Sequence, residues 1–403
     1  MELLTLAQMC AAAGELASVV RRTPVLPSRV LSDHVGHPVG FKCENLQRTG
    51  SFKPRGAYLR IARLGADERS RGVVAASAGN HAQGVAWAAA TPGLSATVFM
   101  PTEVPIPKLL ATKAYGATVH LVGESVDHAL AAAQTFAEDT GAVLIHPFDH
   151  LDVVAGQSTV GLEIVEQMPE VGTVVVPTGG GGLLAGIAAA VRALRPRVRV
   201  IGVQAASAAA WPASLAAGHP VRADQLATMA DGIAVGLPGE VPFAHVSQLV
   251  DEIVTVTEEE LARALLLCLE RSKLVVEPAG AAAVAALMCR DLGGEGPVCA
   301  VVSGGNIDPL LLTHVTTHGL RAVGRYLAVR VTISDRPGSL LELLRGVSGC
   351  GAGVVDVVHS RITGQLEVGE VEVELILETR GPDHQQQVLE AIRAVASQPV
   401  QVL

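Results

Sequence analysis

The chain has 403 residues, of which 49% are hydrophobic, 17% charged and only 3% aromatic. That is enough apolar material for two or three aliphatic cores, and it excludes general disorder. A net charge of −9 with no basic run argues against nucleic acid as a partner.

The N-terminus Met1-Glu2-Leu3-Leu4 lacks the basic region and cleavage site of a signal peptide. From about residue 40 to 310, short β-rich runs alternate with Ala-rich helical stretches. The strand candidates are Gly72–Ala76, Ala96–Met100, Thr118–Val122, Val143–His146, Thr173–Pro177, Val198–Val203 and Val298–Val302. They are near-continuous apolar runs, as expected of parallel strands covered on both faces. Helical patterns such as Ser125–Thr140 and Glu258–Ser272 lie between them, so an α/β fold with parallel sheets is expected.

The uncharged stretch Val171–Val191 is long enough for a membrane span, but Pro177 and Gly179–Gly182 interrupt it. Strand, loop and helix is the better reading, with no membrane partner and a soluble, cytoplasmic protein. Six scattered cysteines without a CxxC pair read as buried thiols in a reducing compartment.

After His314 the texture changes. Tyr326–Ser334 reads as a strand, Ser339–Gly349 as a helix and Val354–Ile362 as a strand. Glu370–Thr379 is a strand with one wet face, Pro382–Val395 a polar helix, and a short strand closes the chain. The order β-α-β-β-α-β predicts a ferredoxin-like domain over 326–403, after a larger domain over 1–320 that holds a smaller subdomain at about 50–150.

Only five lysines occur, and Lys53 lies in Thr49-Gly50-Ser51-Phe52-Lys53-Pro54-Arg55-Gly56-Ala57. Pro54 suits the first turn of a helix running to Leu64, and Ser51 is placed to cap it. Lys53 would then sit at the positive end of a helix dipole, which disfavours its protonated form. That suits an amine nucleophile, although the segment alone also fits a surface lysine beside a helix.

Three glycine-rich loops follow strands. Thr178-Gly179-Gly180-Gly181-Gly182-Leu183 precedes an apolar helix and can turn its N–H groups toward a phosphate. No Gly-Lys-Ser/Thr follows it, which excludes a P-loop. Gly180-x-Gly182-x-x-Ala185 nominally matches a dinucleotide fingerprint, but Gln204 stands where an acidic ribose partner is needed. The other loops are Ser77-Ala78-Gly79-Asn80-His81 and Ser303-Gly304-Gly305-Asn306. Three loops at strand C-termini converge on one mouth, where open α/β folds place ligands.

Together these residues resemble the fold-type II pyridoxal-phosphate (PLP) enzymes, specifically the serine/threonine dehydratase family. Glu44–Gln47, Gly50–Ala57, Ser77–Gly84, Pro177–Leu183, Ala230-Asp231-Gly232, Val276–Gly280 and Ser303–Asn306 carry the resemblance, in family order across roughly residues 20–315. It implies a tryptophan-synthase-β-like fold with two open parallel sheets, and pyridoxal 5′-phosphate as cofactor. Lys53 would be the Schiff-base lysine and catalytic base, with Phe52 beside the ring and Asn80 on its 3′-oxygen. Gly179, Gly180, Gly181, Gly182 and Leu183 would hold the phosphate, and Ser303 the pyridine nitrogen. Ser77, Ala78, Gly79, Asn80 and His81 would form the substrate-carboxylate loop.

The implied reaction is deamination of L-threonine to 2-oxobutanoate and ammonia, and of L-serine to pyruvate. Serine racemase is the alternative within the family, and a non-catalytic amino-acid sensor the alternative outside it. The racemase pattern carries Ser where this chain has Ala78, and acidic metal ligands where it has Gln204 and Ala210, so no metal is expected. The tail resembles an ACT domain on Asp335-Arg336-Pro337-Gly338-Ser339-Leu340. That implies an effector site at Asp335, Arg336, Pro337 and Gly338 for isoleucine or valine, in a homodimer or homotetramer.

Overall fold

The computed structural model describes residues 2–361 and 366–403. The chain divides into two compact units, 1–311 and 312–403, with the division inside the helix Pro309–Ala322.

The first unit holds two sheets. The larger runs in the order Val25–Pro27, Val39–Cys43, Val298–Val302, Thr173–Pro177, Arg199–Ala205 and Glu252–Val256. All its pairs are parallel except the first. Thr173–Pro177 and Val298–Val302 are buried at every residue, because helices cover both faces of the sheet. The smaller sheet is wholly parallel, in the order Thr118–Leu121, Ala96–Met100, Val73–Ala76, Val143–Leu144.

Several expected elements need correcting. Thr118–Leu121 is an edge strand with its first, third and fourth residues exposed, so it is not covered on both faces. Of the expected run to His146, Val143 and Leu144 form the strand and Ile145 still donates to the Val74 carbonyl at 2.9 Å, after which the chain leaves for the site. The helix at Glu258 stops being α at Leu267 and closes in a π turn, Cys268–Ser272. Val171–Val191 divides as the glycines require, into strand, turn and the helix Gly182–Leu194, and no helix among the described residues is long and apolar enough to cross a membrane.

The helix Lys53–Ala62 lies on the long helix Leu151–Gln167 at backbone contact. A Cβ on Gly156 would stand 2.6 Å from the Cα of Gly56, so no side chain fits between them. A buried charge network locks the same helix. Arg55 is fully buried and donates to both Glu44 oxygens at 2.8 Å and to Glu163 at 2.6 Å. Lys42, also fully buried, donates to the other Glu163 oxygen at 2.5 Å and to the Thr23 carbonyl at 2.8 Å. Charges removed from water need this degree of pairing.

The second unit runs Tyr326–Ser334, Ser339–Gly349, Gly353–Ser360, Glu370–Glu378, Pro382–Arg393 and Gln401–Val402, as strand, helix, strand, strand, helix and strand. Its antiparallel sheet has the order Gly353–Ser360, Glu370–Glu378, Tyr326–Ser334, Gln401–Val402. Val371, Val373, Leu375 and Leu377 are buried and pack with the helices, while the glutamates between them face outward. Of the strand expected to end at Ile362, that last residue lies outside the described residues.

Candidate active site

The lysine segment and the third glycine loop lie side by side. Phe52 N–H donates to the Ser303 carbonyl at 3.2 Å, Gly305 N–H donates to the Gly50 carbonyl at 2.9 Å, and Ser51 bridges to Gly304. Ser51 is therefore extended (φ −159°, ψ 167°) and does not cap the helix, contrary to expectation. The N-cap position belongs to Phe52, and the Ser51 hydroxyl is buried with no hydrogen-bond partner. Pro54 takes the first turn, as its missing N–H allows.

Lys53 is half-buried, and its amine donates to the Pro147 carbonyl at 3.2 Å. Burial brings its pKa down to about 8 against the opposing charge of Glu277. The Phe52 ring centroid lies 5.1 Å from the Lys53 nitrogen.

Of the segment His146–Asp149, the sequence marks only His146, as the end of a strand, yet the segment walls this site. His146 Nδ1 accepts the N–H of Asp149 at 2.7 Å, so its proton resides on Nε2, and burial lowers its pKa to about 4. The Phe148 ring lies against Gly180, where an added Cβ would come within 2.4 Å of it. Lys53 and the glycine turn thus share one wall, Pro147-Phe148.

Gly181 adopts φ +95°, and a Cβ there would approach Trp211 to 2.3 Å. Trp211 also donates its indole N–H to the Gly179 carbonyl at 2.7 Å, which holds the turn in place. Among the described residues the N–H groups of Gly179, Gly180 and Gly181 meet no acceptor. With the N-terminus of the helix Gly182–Leu194, which begins Gly182-Leu183, they could receive an anion.

Ser77, Ala78, Gly79 and Asn80 are half-buried and lead into the helix Asn80–Ala90. The Ser77 hydroxyl accepts the Gly79 N–H at 3.1 Å. His81 is placed differently from its neighbours. Its Nε2 meets the Ile145 carbonyl at 2.7 Å inside the core, and burial lowers its pKa to about 3. Its side chain ties the loop to the sheet instead of facing a ligand.

Asn80 donates to Glu277 at 2.6 Å and accepts from Asn306 at 2.8 Å, joining the Ser77–His81 and Ser303–Asn306 loops. Lys108, from the helix Ile106–Ala114, forms an ion pair with Asp231 nearby. Neither Glu277 nor Lys108 stands out in the sequence as a functional side chain. Gln204 is buried within its strand and accepts the Trp211 N–H at 2.9 Å, so its amide serves packing.

These residues fit the cofactor that the resemblance implies. A buried amine of lowered pKa, a turn of unpartnered N–H groups and the Asn80 amide suit an aldehyde, a phosphate and a ring oxygen respectively.

The family model for pyridoxal-phosphate dependent enzymes matches residues 16–304. The L-threonine ammonia-lyase of Thermotoga maritima is 46% identical over 387 residues, covering 96% of either chain. That of Geobacter sulfurreducens is 47% identical over 379 residues, covering 93% of this chain and 94% of the relative. Among solved structures, the T.th. threonine deaminase superposes with a TM-score of 0.72 at 41% identity, over 76% of this chain and 99% of that one. Maize serine racemase superposes with a TM-score of 0.75 at 34% identity, over 79% and 99%. The extent and identity of these matches show that the chain belongs to the family of pyridoxal-phosphate-dependent enzymes.

Proposed function

We propose that the chain is a threonine ammonia-lyase, which removes ammonia and water from L-threonine, and also from L-serine, using Lys53 as the only base at Cα. The observation that carries this reading is the Lys53 amine itself. Its pKa is lowered to about 8, and it is held on the Pro147 carbonyl beside an unpartnered glycine turn.

The cofactor, when bound, would supply the sink for the electrons that the Cα proton leaves behind. Lys53 takes that proton, and its lowered pKa leaves a neutral fraction able to do so near neutral pH. The N–H groups at the start of the helix Asn80–Ala90 orient the substrate carboxylate through Ser77–Asn80. The glycine turn and Leu183 would hold the phosphate, and Ser303, buried beside the lysine segment, would be the partner of the pyridine nitrogen. A hydroxyl partner there would leave that nitrogen unprotonated, which would favour prompt β-elimination.

The likeness to maize serine racemase raises racemisation as a second reading. Ala78 speaks against it, because a methyl group cannot return a proton. Incubating the holoenzyme with L-threonine and with L-serine, while following ammonia, 2-oxo acid and D-amino acid, tests both. Threonine elimination without D-product supports the lyase, and D-serine as the main product contradicts it.

The C-terminal unit we read as an ACT domain that binds isoleucine or valine and joins chains into a homodimer or homotetramer. A surface recess of about 540 Å³ beside Arg336, Pro337 and Gly338 supports an effector there. Asp335 pairs with Arg361 at 3.0 Å and does not line that recess. Titrating isoleucine and valine against the activity of the full chain and of Arg336→Ala tests this reading. Activity indifferent to both amino acids contradicts it.

A further inference from the structure

Glu277 has no part in the chemistry above, yet it is 4% exposed at the centre of the site. It precedes the helix Pro278–Cys289, and its N–H donates to the Gly304 carbonyl at 3.1 Å. Its Oε1 accepts from Asn80 Nδ2 at 2.6 Å.

The orientation of that amide follows from its neighbours. The Thr49 carbonyl can only accept, and Asn306 Nδ2 donates to it at 2.6 Å. The same nitrogen therefore faces Asn80 and gives its second hydrogen to Asn80 Oδ1 at 2.8 Å. With its oxygen turned to Asn306, Asn80 must present nitrogen to Glu277, and an ionised carboxylate can only accept. Both ends of the chain of bonds require the same amide orientation. Nδ2 carries two hydrogens, and Glu277 takes one. The pair also lies directly on the loop after Ser303. A Cβ on Gly304 would stand 2.2 Å from Glu277 Oε1 and 3.2 Å from Asn80 Nδ2.

We propose that Glu277 is a positioning residue for the cofactor, anchoring Asn80 so that its remaining amide hydrogen points to the cofactor's ring hydroxyl oxygen. This rests on the reading of Lys53 and Asn80 as cofactor contacts given above. The anchor also titrates. Burial and the Asp231 charge raise the Glu277 carboxyl to about 7, while Lys108, Asn80 and Lys53 pull it the other way. Above that pH the carboxylate holds Asn80 through a charge-assisted bond. Below it the group is neutral, and the hold weakens.

The test is the visible absorbance of the full-length holoenzyme, titrated across neutral pH for wild type, E277Q, D231N and K108M. Cofactor release on dialysis is followed in parallel, and the attachment site is mapped after borohydride reduction. Wild type should show a spectral step with a midpoint near 7. E277Q should lose that step while the cofactor stays on Lys53, and should release it about tenfold more readily. D231N should move the midpoint down and K108M should move it up, because Asp231 raises and Lys108 lowers the Glu277 carboxyl.

A step that persists in E277Q at the wild-type midpoint, with Lys53 labelled, overturns the role of Glu277 alone. Wild type without a pyridoxyl group on Lys53 overturns the site reading as well. If E277Q does not fold, E277D decides. It keeps a carboxylate that cannot reach as far, so a shifted midpoint and faster release support the role, and wild-type behaviour in both overturns it.

Discussion

Phe52 donates its backbone N–H to the carbonyl of Ser303 at 3.2 Å, although about 250 residues separate the two in sequence. Through this bond the strand Val298–Val302 sets the position of the first turn of the lysine helix. Lys53 is thus held by backbone pairing on one side and by the Arg55 charge network on the other.

That network gives a stability prediction. Arg55→Ala leaves Glu44 buried and without its main partner. Breaking a buried pair in this way costs about 3–5 kcal/mol. Denaturant unfolding of the variant should show a loss of that size, whereas Arg63→Ala, whose ion pairs are partly exposed, should cost about 1 kcal/mol or less.

The glycine turn predicts a combined loss of binding and stability. Gly181→Ala places a Cβ at φ +95° and against Trp211. A cost of about 1–3 kcal/mol in thermal unfolding is expected from the strained backbone. Weaker cofactor binding in a fluorescence titration should accompany it, because the N–H groups of the turn move.

The histidines predict an acid limb. His81 and His146 have folded-state pKa values of about 3 and about 4, both below the usual 6.5. The unfolded chain therefore takes up protons first, and the stability these neutral rings contribute is present above pH 6.5 and lost as pH falls through about 4 for His146 and about 3 for His81. His81→Gln should flatten the fall in unfolding free energy over that window. An unchanged slope would show that the His81 ring titrates freely.

Position 78 predicts a change in product. Ala78→Ser supplies a hydroxyl where the racemase pattern has one. Chiral chromatography of reactions with L-serine should detect D-serine from this variant and none from wild type. Absence of D-serine from Ala78→Ser would mean that the proton-returning face is closed by something other than residue 78.

Much of the fold was legible because parallel strands buried on both faces are plain apolar runs. Ala96–Met100, Thr173–Pro177 and Val298–Val302 match the structure at both ends. Val39–Cys43 escaped notice, since it carries Gly40 and Lys42 in a fully buried strand. Lys42 is tolerated there because its amine is received by the Thr23 carbonyl and by Glu163 and Gln167, the last two more than a hundred residues away. The glycine turn was legible because its backbone demand limits residue choice, as the positive φ of Gly181 shows, whereas Lys53 was singled out by the motifs around it. Glu277, Lys108 and Pro147-Phe148 were not, because their roles arise from neighbours that only the folded chain supplies. Ser51 misled for the same reason, since pairing with Gly304 draws it out of the capping geometry.

Ammonia release from L-threonine by wild type and Lys53→Ala, measured side by side on folded protein, tests the role of Lys53 most directly. Wild type should release ammonia and 2-oxobutanoate together, and the variant should lose about 10³-fold or more in rate. It should also lose the visible absorbance of bound cofactor. A Lys53→Ala protein that still eliminates at the wild-type rate would contradict the assignment of Lys53 as base and cofactor attachment point.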